Sequence, residues 1–276
     1  MFRILSDLHL FDARTQVRDL RQLEPLLAGV RTLVINGDSC EMRHGATPGQ
    51  VAAMRAFFQE RVPEVVFVTG NHDPDISDTH ELLLADRRVW VTHGDICFDD
   101  LTPWGRQRLE LRRRVQALLA TEPSADYREL GVRFRIAREV ARTVVNEIDP
   151  GDGRFSAQLG RFWHTFFPPR QPLAMIQSWR VLPARAAALA AAQRFSAQVV
   201  VMGHVHFPGV WVNPPGPTVI NTGSFFSPLG GNLVDLSGDR VEVRRIRRQE
   251  DRFHPGRVLA TIPLAPQAAC HGGTGS

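Results

Sequence analysis

Short runs of apolar and β-branched residues recur along the chain, and each run ends in a polar or glycine-containing segment. The runs are FRIL before SDLH, TLVIN before GD, VVFVT before GNHD, VWVT before HGD, VVVM before GHVH and TVIN before TGS. Runs of this length, bounded by turn residues, predict buried strands. Amphipathic stretches at 16–28 and 49–61 lie between the first strands, so the first half is expected to alternate strand and helix.

The chain beyond residue 218 has a different spacing of apolar positions. TVINTGS, NLVDLSGD and RVEVRRI follow one another with glycine turns between them. Short segments in this arrangement predict a meander of neighbouring strands. Residues 263–276 contain few side chains that could enter a core, and we expect a flexible tail there.

Residues 104–196 are rich in Arg and Ala and have the periodicity of helices. Within them, apolar residues recur at intervals of four positions, whereas a set of arginines lies on another face. The apolar residues are Val132, Ile136, Val140 and Val144, and the arginines are Arg135, Arg138 and Arg142. We predict that this helical segment ends at 149–150, and that 104–196 form a helical cap inserted within a domain of residues 1–262.

Composition narrows the classes of protein to which the chain can belong. The hydrophobic fraction of 43% and charged fraction of 22% are ordinary for a globular protein, and no apolar run reaches the ~18 residues of a membrane span. The opening MFRILSDLHL lacks the apolar core of a signal peptide, which favours the cytoplasm. The net charge of +4 reflects arginine alone on the basic side, because the chain contains no lysine.

Polar side chains that can bind metal follow five of the predicted strands. In SDLH, Asp7 and His9 lie two positions apart, so in an extended chain both leave the same face. The other candidates are Asp38 in GDSCE, Asn71 in GNHD, His93 in THGD, and His204 and His206 in GHVH. Each is a weak signal alone, because such residues are common in turns. Together they are expected to meet at one edge of a sheet and form a metal site.

The mixture of carboxylate, imidazole and amide ligands indicates which metals would fit. It suits Mn, Fe, Zn, Co or Ni better than Ca or an iron–sulfur cluster. Asp38 has two oxygens and could bridge two ions about 3.5–4 Å apart, and such a pair can hold both a hydroxide and a phosphoryl oxygen. We predict two divalent transition-metal ions, with manganese as the first choice.

Taken in order, DLH, GDSCE, GNHD, THGD and GHVH resemble the five-motif signature of the calcineurin-like metallophosphoesterase superfamily. This resemblance implies an α/β fold, a four-layer αββα sandwich. It implies a hydrolase in which a hydroxide bridging two ions attacks phosphorus in line. One ion would be held by Asp7, His9, Asp38 and His206, and the other by Asp38, Asn71, His93 and His204.

The same resemblance implies catalytic roles for two further residues. His72 would assist the leaving oxygen without binding metal, a role suited to histidine because histidine ordinarily titrates near neutral pH. Glu41 would orient that histidine. Asp73 is expected to cap backbone N–H groups and hold the loop.

A narrower resemblance bears on the substrate. The stretch HGDICFDDLTPWGRQR is similar to the bacterial UDP-2,3-diacylglucosamine pyrophosphate hydrolases of lipid A synthesis, in which a Cys and paired Asp follow the HGD motif. Cys97 matches that pattern, and the similarity implies substrate-binding roles for Asp99, Asp100 and Arg106. It also implies a small, lipid-linked phosphorylated substrate. An Arg-rich amphipathic cap suits peripheral contact with an anionic inner membrane.

Other interpretations fit parts of the pattern. The arginines of 104–196 fit a solvated helical face equally well. Basic helices can follow a phosphate backbone, so a nuclease is an alternative, although few aromatic residues interleave with the arginines. A cyclic-nucleotide phosphodiesterase is a further alternative. A metal-free scaffold is the alternative from another class, and such a protein is expected to have lost ligands that are all present here. The sequence does not indicate an oligomeric state.

Overall fold

Two β-sheets form the centre of the protein, whose computed structural model describes residues 1–43, 45–105, 107–144 and 170–266. The strands are β1 (Phe2–Leu5), β2 (Thr32–Asn36), β3 (Glu64–Val68), β4 (Glu81–Leu84), β5 (Val89–Thr92), β6 (Val199–Met202), β7 (Gly209–Trp211), β8 (Thr218–Asn221), β9 (Asn232–Ser237), β10 (Arg240–Gln249) and β11 (Arg252–Pro263). The α-helices in the described residues are α1 (Glu24–Leu27), α2 (Pro48–Gln59), α3 (Arg108–Thr121), α4 (Leu130–Arg142) and α5 (Arg170–Gln193), and 3-10 helices span Leu20–Leu23 and Asp95–Cys97.

Each sheet contains three neighbouring parallel strands. The first sheet has the order β11-β10-β9-β1-β2-β3, in which β1, β2 and β3 run parallel. The second has the order β4-β5-β6-β8-β7, in which β5, β6 and β8 run parallel. The carboxyl ends of parallel strands lie at the same edge of a sheet, so the segments that follow these strands are brought together.

Successive side chains along the strands alternate between two apolar layers. Ile4 and Val34 of the first sheet pack with Val91 and Val201 of the second, which forms the core between the sheets. The intervening residues face outward, because successive side chains in a strand point to opposite faces. Outward residues of the first sheet pack under α1 and α2, and those of the second pack under α3, α4 and α5. The predicted four-layer αββα sandwich is therefore confirmed.

The six predicted apolar strands all form, as β1, β2, β3, β5, β6 and β8. The predicted meander is wrong in one respect, because β8 pairs with β6 and β7 in the second sheet and not with β9. The meander consists of β9, β10 and β11 in the first sheet. Of the predicted helical stretches, 49–61 forms α2, whereas 16–28 forms only the 3-10 helix Leu20–Leu23 and the single turn of α1.

The described helices of the arginine-rich region, α3, α4 and α5, pack on the outer face of the second sheet. Ile136 and Val140 of α4 are buried there with Val144 packed beside them, as their spacing predicts. The residues 149–150, where the sequence predicts the end of this segment, lie outside the described residues, so the end of the segment and the boundaries of the cap stay predictions.

The last described residues continue the core. Leu264 is buried with the residues between the sheets, and the N–H of Ala265 donates to the side chain of Gln198 at 2.7 Å. Residues 267–276 lie outside the described residues, so a flexible tail stays a prediction. Among the helices of the described residues, none is long and apolar enough to cross a membrane.

Candidate metal centre

The five predicted motifs converge at the edge where the parallel strands of both sheets end. Within the first sheet, the N–H of Asp7 donates to the carbonyl of Gly37 at 3.1 Å and that of His9 to the carbonyl of Asp38 at 2.9 Å. Between the sheets, the N–H of His204 donates to both carboxylate oxygens of Asp7 at 3.1 Å. The loops are therefore fixed to one another before any ligand is considered.

The backbone at this edge adopts conformations that are unfavourable for most residues. Asp7, His9, Asp38 and His204 have φ of 50°, 46°, 50° and 68°, in the left-handed region. Such strain is retained where surrounding structure enforces it, and it concentrates at functional sites.

Close approach explains the glycines of GNHD and GHVH. A Cβ on Gly70 would collide with the carboxylate and backbone N of Asp38, and a Cβ on Gly203 would collide with the carboxylate of Asp7. Only glycine allows these loops to lie against the candidate ligands.

A first ligand group consists of Asp7, His9, Asp38 and His206, whose ligand atoms lie within 4.8 Å of one another. His9 Nε2 is 3.1 Å from His206 Nε2, and 3.8 Å and 3.7 Å from carboxylate oxygens of Asp7 and Asp38. The Asp7 carboxylate is also 3.6 Å from His206 Nε2.

A second ligand group consists of Asp38, His93 and His204, again within 4.8 Å of one another. His93 Nε2 is 3.2 Å from Asp38 Oδ2 and 3.2 Å from Asn71 Oδ1, which adds the amide to this group. Asp38 Oδ2 therefore faces both groups, while Asp38 Oδ1 accepts the N–H of His72 at 2.8 Å.

The tautomers of the histidines test whether this donor set fits a cation. His93 Nδ1 lies 3.1 Å from the carbonyl of Asn36, and His204 Nε2 lies 2.7 Å from the carbonyl of Leu101, so these nitrogens donate. His9 Nδ1 faces the carboxylate of Glu41 at 3.1 Å and donates in the same way. When each ring is neutral, as metal ligation requires, its opposite nitrogen presents a lone pair toward the other candidate ligands, an arrangement that a metal ion resolves.

The electrostatics of the cluster favour positive charge. Burial lowers the pKa of His9, but Asp7 and Glu41 outweigh it and raise that pKa to about 10. Burial lowers the pKa of His204 and of His206 to about 3, so these two rings are neutral at physiological pH, as metal ligation requires. Although burial acts to raise the pKa of Asp38, His93 and His72 hold it well below the ordinary value.

His72 lies beside the two groups with a different set of contacts. Its Nδ1 is 2.6 Å from Glu41 Oε1, and its Nε2 is 4.0 Å from Asp38 Oδ2. Glu41 therefore contacts both His72 and His9, and the ligand atoms of these three residues lie close enough together to hold a metal ion. Because Glu41 faces the Nδ1 atoms of both rings, we interpret this cluster as a hydrogen-bonded support.

Asp73 holds the loops together, as expected from the sequence. Its carboxylate accepts the N–H groups of Asp38, Ser39 and Gly70 at 2.9, 2.6 and 2.9 Å. One carboxylate thus links the loop after β2 to the loop after β3.

The residues predicted to bind substrate have other described contacts. Asp99 Oδ1 lies 3.5 Å from an Arg133 nitrogen, and the backbone carbonyl of Asp100 accepts from Thr102 N at 2.5 Å. Cys97 is buried against Met202 in the core of the second sheet. Arg106 lies outside the described residues, so the substrate-binding roles stay predictions.

The arginines of the helical region are more engaged than their pattern indicates. Arg138 donates to Asp78 at 2.8 Å and Arg142 pairs with Asp75 at 2.5 Å, so both reach the loop that follows His72. Arg133 donates to the carbonyl of Ile96 and Arg185 to that of Cys97, at 2.8 and 3.0 Å. These side chains support the loops after β3 and β5.

Sequence reasoning missed several side chains at the centre. The ring of Phe226 stacks on His9 at 4.4 Å between centroids, and Trp104 lies 5.0 Å from the ring of His204. Arg43 Nη2 is 2.9 Å from His72 Nδ1. Phe226 follows a predicted strand end and could have been considered on that ground, whereas no sequence signal distinguishes Arg43 from the other arginines.

A family model described as calcineurin-like phosphoesterase matches residues 2–208. No curated protein matches the chain.

Solved structures that match include a dimetal phosphatase from Danio rerio, 14% identical over 96% of this chain and 98% of that one, with a TM-score of 0.46. Vps29 from Chaetomium thermophilum is 11% identical over 95% and 97%, with a TM-score of 0.45. Vps29 complexed with zinc from Entamoeba histolytica is 11% identical over 95% and 98%, with a TM-score of 0.42. Because the family model covers most of the chain and all five strand-end motifs, this protein belongs to the calcineurin-like phosphoesterase family.

Proposed function

We propose that the protein hydrolyses phosphoesters with two divalent ions, one in each ligand group, that share Asp38. The observation that carries the proposal is the position of Asp38 Oδ2, which is 3.7 Å from His9 Nε2 in one group and 3.2 Å from His93 Nε2 in the other. A buried carboxylate with a histidine nitrogen on each side is the arrangement expected of a bridging ligand. Membership of the family agrees with metal-dependent phosphoester hydrolysis.

When bound, a pair of divalent ions supplies Lewis-acid catalysis and lowers the pKa of water. The protein's own residues position the side chains that would bind the ions, and they deliver a proton. His72 Nδ1 faces Glu41 at 2.6 Å, which leaves His72 Nε2 directed toward the centre, 4.0 Å from Asp38 Oδ2. We assign His72 the role of giving a proton from Nε2 to the leaving oxygen, with Glu41 fixing the ring.

The donor set also bears on the metal. The two groups offer imidazole, carboxylate and amide ligands, which suit manganese, iron, zinc, cobalt or nickel. Burial raises the pKa of Cys97 to about 12 and also raises that of Cys40, and neither thiol belongs to a ligand group. We propose manganese as the physiological metal, to be tested by elemental analysis of protein purified without added metal.

For the substrate, we propose a small phosphodiester or pyrophosphate, of which a UDP-diacylglucosamine is the most specific candidate. The support is the similarity of residues 93–108 to the hydrolases of that lipid precursor. The same proposal includes a cap, formed by residues 104–196, that binds acyl chains. It also includes peripheral contact with an anionic membrane.

The proposed function is tested by an activity screen of metal-free and Mn²⁺-loaded protein. The substrates are p-nitrophenyl phosphate, bis-p-nitrophenyl phosphate, a cyclic nucleotide, single-stranded DNA and a UDP-linked lipid. We expect turnover only after loading, with the diester or pyrophosphate preferred and DNA not cleaved. Loaded, folded protein that hydrolyses none of them would favour the scaffold alternative, and preferred cleavage of DNA would favour the nuclease.

A further inference from the structure

The segment that follows β8 lies against the centre, although none of the seven candidate ligands belongs to it. It begins with NTGS at 221–224, where the sixth predicted apolar strand ends. The N–H of Phe225 donates to the carbonyl of Asp7 at 3.2 Å, and the ring of Phe226 stacks on that of His9. The segment therefore contacts two candidate ligands of the first group.

A path of buried hydroxyl groups joins the same segment to the carboxylate of Asp7. Thr222 Oγ1 lies 2.5 Å from Ser6 Oγ, and Ser6 Oγ donates to Asp7 Oδ2. Thr222 Oγ1 is also 3.0 Å from the carbonyl of Met202. Ser6 and Thr222 are both buried, so their hydroxyl groups are shielded from bulk solvent.

The number of hydrogens fixes the direction of this path. Two hydroxyl oxygens 2.5 Å apart need a hydrogen between them, and an ionised carboxylate or a carbonyl can only accept. The two hydroxyl groups of Ser6 and Thr222 carry one hydrogen each, which is one fewer than their three contacts. The carbonyl of Met202 already accepts the N–H of Thr222 at 2.9 Å. The Thr222 hydroxyl therefore donates to Ser6, and the Ser6 hydroxyl donates to Asp7.

The path determines which oxygen of Asp7 faces the first ligand group. Oδ2 receives the Ser6 hydroxyl, whereas Oδ1 lies 3.8 Å from His9 Nε2 and 3.6 Å from His206 Nε2. Gly203 closes the other side, because a Cβ there would collide with both Asp7 Oδ2 and Ser6 Oγ. Asp7 Oδ1 is therefore the oxygen directed toward an ion in the first group.

We propose that Ser6 and Thr222 are positioning residues for the first ligand group. The Thr222 hydroxyl orients that of Ser6, which holds Asp7 Oδ2 and keeps Asp7 Oδ1 toward the ion. This inference rests on the proposed function for the presence of an ion in that group. Hydrogen bonds to the outer atoms of a ligand commonly change metal affinity by ~10–100-fold. Asp7 belongs to the first group alone, so the effect should be confined to one ion.

The test titrates metal-free protein with Mn²⁺ and compares Ser6→Ala, Thr222→Val and Thr222→Ser with wild type. The step that is lost in His206→Ala identifies the ion of the first group. We expect Ser6→Ala to weaken that step by ~10–100-fold, and Thr222→Val by about tenfold because it acts through Ser6. Thr222→Ser keeps the hydroxyl and should remain within about twofold of wild type. The other step should be retained in all three variants.

Thr92→Val is the matched control. Thr92 is a buried threonine at the end of β5, directly before His93, and its hydroxyl lies 3.4 Å from the carbonyl of His80, outside both ligand groups. The control should change neither step by more than about twofold, because its hydroxyl shares no partner with the ligands. A loss in Thr92→Val equal to that in Thr222→Val would overturn the inference.

The double variant Ser6→Ala, Thr222→Val tests the order of the path. If Thr222 acts through Ser6, the double variant should weaken the first step no more than Ser6→Ala alone does. Losses that add would show that the two hydroxyl groups act separately, and would overturn the path.

Thermal unfolding separates positioning from general support of the fold. In Thr222→Val, Ser6 still donates to Asp7 and the carbonyl of Met202 still accepts the backbone N–H, so no buried donor loses its acceptor and the variant is expected to fold. A lower melting temperature with both steps as in wild type, or equal weakening of both steps, would overturn the inference. If Thr222→Val does not fold, Ser6→Ala decides, and wild-type affinity at its first step counts against the inference.

The outcomes for the inference and for the proposed function are distinguishable. Protein whose first step depends on Ser6 and Thr222 but which hydrolyses no ester would remove the proposed function and keep the positioning role. Protein that hydrolyses esters while Ser6→Ala and Thr222→Val bind both ions as wild type does would keep the function and remove the positioning role.

Discussion

The two ligand groups share Asp38, but they hold their histidines by different means. In the second group, backbone carbonyls of Asn36 and Leu101 accept from His93 and His204 at 3.1 and 2.7 Å. In the first group, His9 is held by the side chain of Glu41 at 3.1 Å. The same carboxylate lies 2.6 Å from His72, and His206 retains 14% exposure of its side chain.

This difference indicates a division of labour within the centre. A backbone carbonyl neither titrates nor changes rotamer, so the second group is preorganised whatever happens around it. The first group depends on Glu41, which also supports the proposed proton donor. We therefore expect the second ion to bind more tightly and the first to be coupled to the chemistry at His72.

The largest effect on this comparison is expected from His72→Ala. It removes the proposed proton donor and leaves all seven candidate ligands in place, so turnover should fall by ~10²–10⁴-fold with unchanged metal content. Steady-state kinetics and elemental analysis measure the two quantities. His254→Ala, in β11 at the edge of the first sheet, serves as the control and should retain both. Loss of an ion from His72→Ala would make His72 a ligand, contrary to the assignment.

Glu41→Gln tests whether the first group depends on its side-chain support. The neutral amide orients His9 and His72 less strongly, so affinity for one ion should fall by ~10–100-fold while the other is retained. Titration of metal-free protein with Mn²⁺ should then resolve a tight and a weak step. Glu81→Gln, which removes the carboxylate that pairs with Arg194, should leave both steps as in wild type. Equal weakening of both steps in Glu41→Gln would erase the proposed difference between the groups.

The smallest effect is expected from the double variant Arg138→Gln, Arg142→Gln. These side chains pair with Asp75 and Asp78 at the surface, where an ion pair contributes about 1 kcal/mol or less and is screened by salt. Thermal unfolding should show a small loss of stability at low ionic strength that diminishes as salt is added. Turnover should change by about twofold or less. A larger fall in turnover in this variant would show that the helical region positions the loop of Asn71 and His72 more strongly than its contacts indicate.

Sequence patterns predicted that the strand-end residues converge, because the signals for that convergence are local. Each candidate ligand directly follows an apolar run, and parallel strands bring their carboxyl ends together. The clustering of Asp7, His9, Asp38, Asn71, His93, His204 and His206 in space followed from that rule. Their roles as ligands stay a prediction until metal is measured.

Other features depended on contacts between residues far apart in the chain. Arg138 meets Asp75 at a separation of 63 residues, so its pattern looked the same as that of a solvated arginine. The sequence also did not indicate that β8 belongs to the second sheet, because its apolar run resembles that of a meander strand. The contact between Arg43 Nη2 and His72 Nδ1 joins residues 29 positions apart, so no local pattern indicated it.

The central claim is that two divalent ions share Asp38, and electron paramagnetic resonance of the Mn²⁺-loaded protein tests it most directly. Two Mn²⁺ ions bridged by one carboxylate are magnetically coupled, so we predict two ions per chain and a coupled spectrum in wild-type protein. In Asp38→Ala, we predict that the coupled spectrum is lost together with binding at both sites and with turnover, because the shared ligand belongs to both groups. A single ion in wild-type protein, two uncoupled ions, or full occupancy of both sites in a folded Asp38→Ala variant would contradict the account.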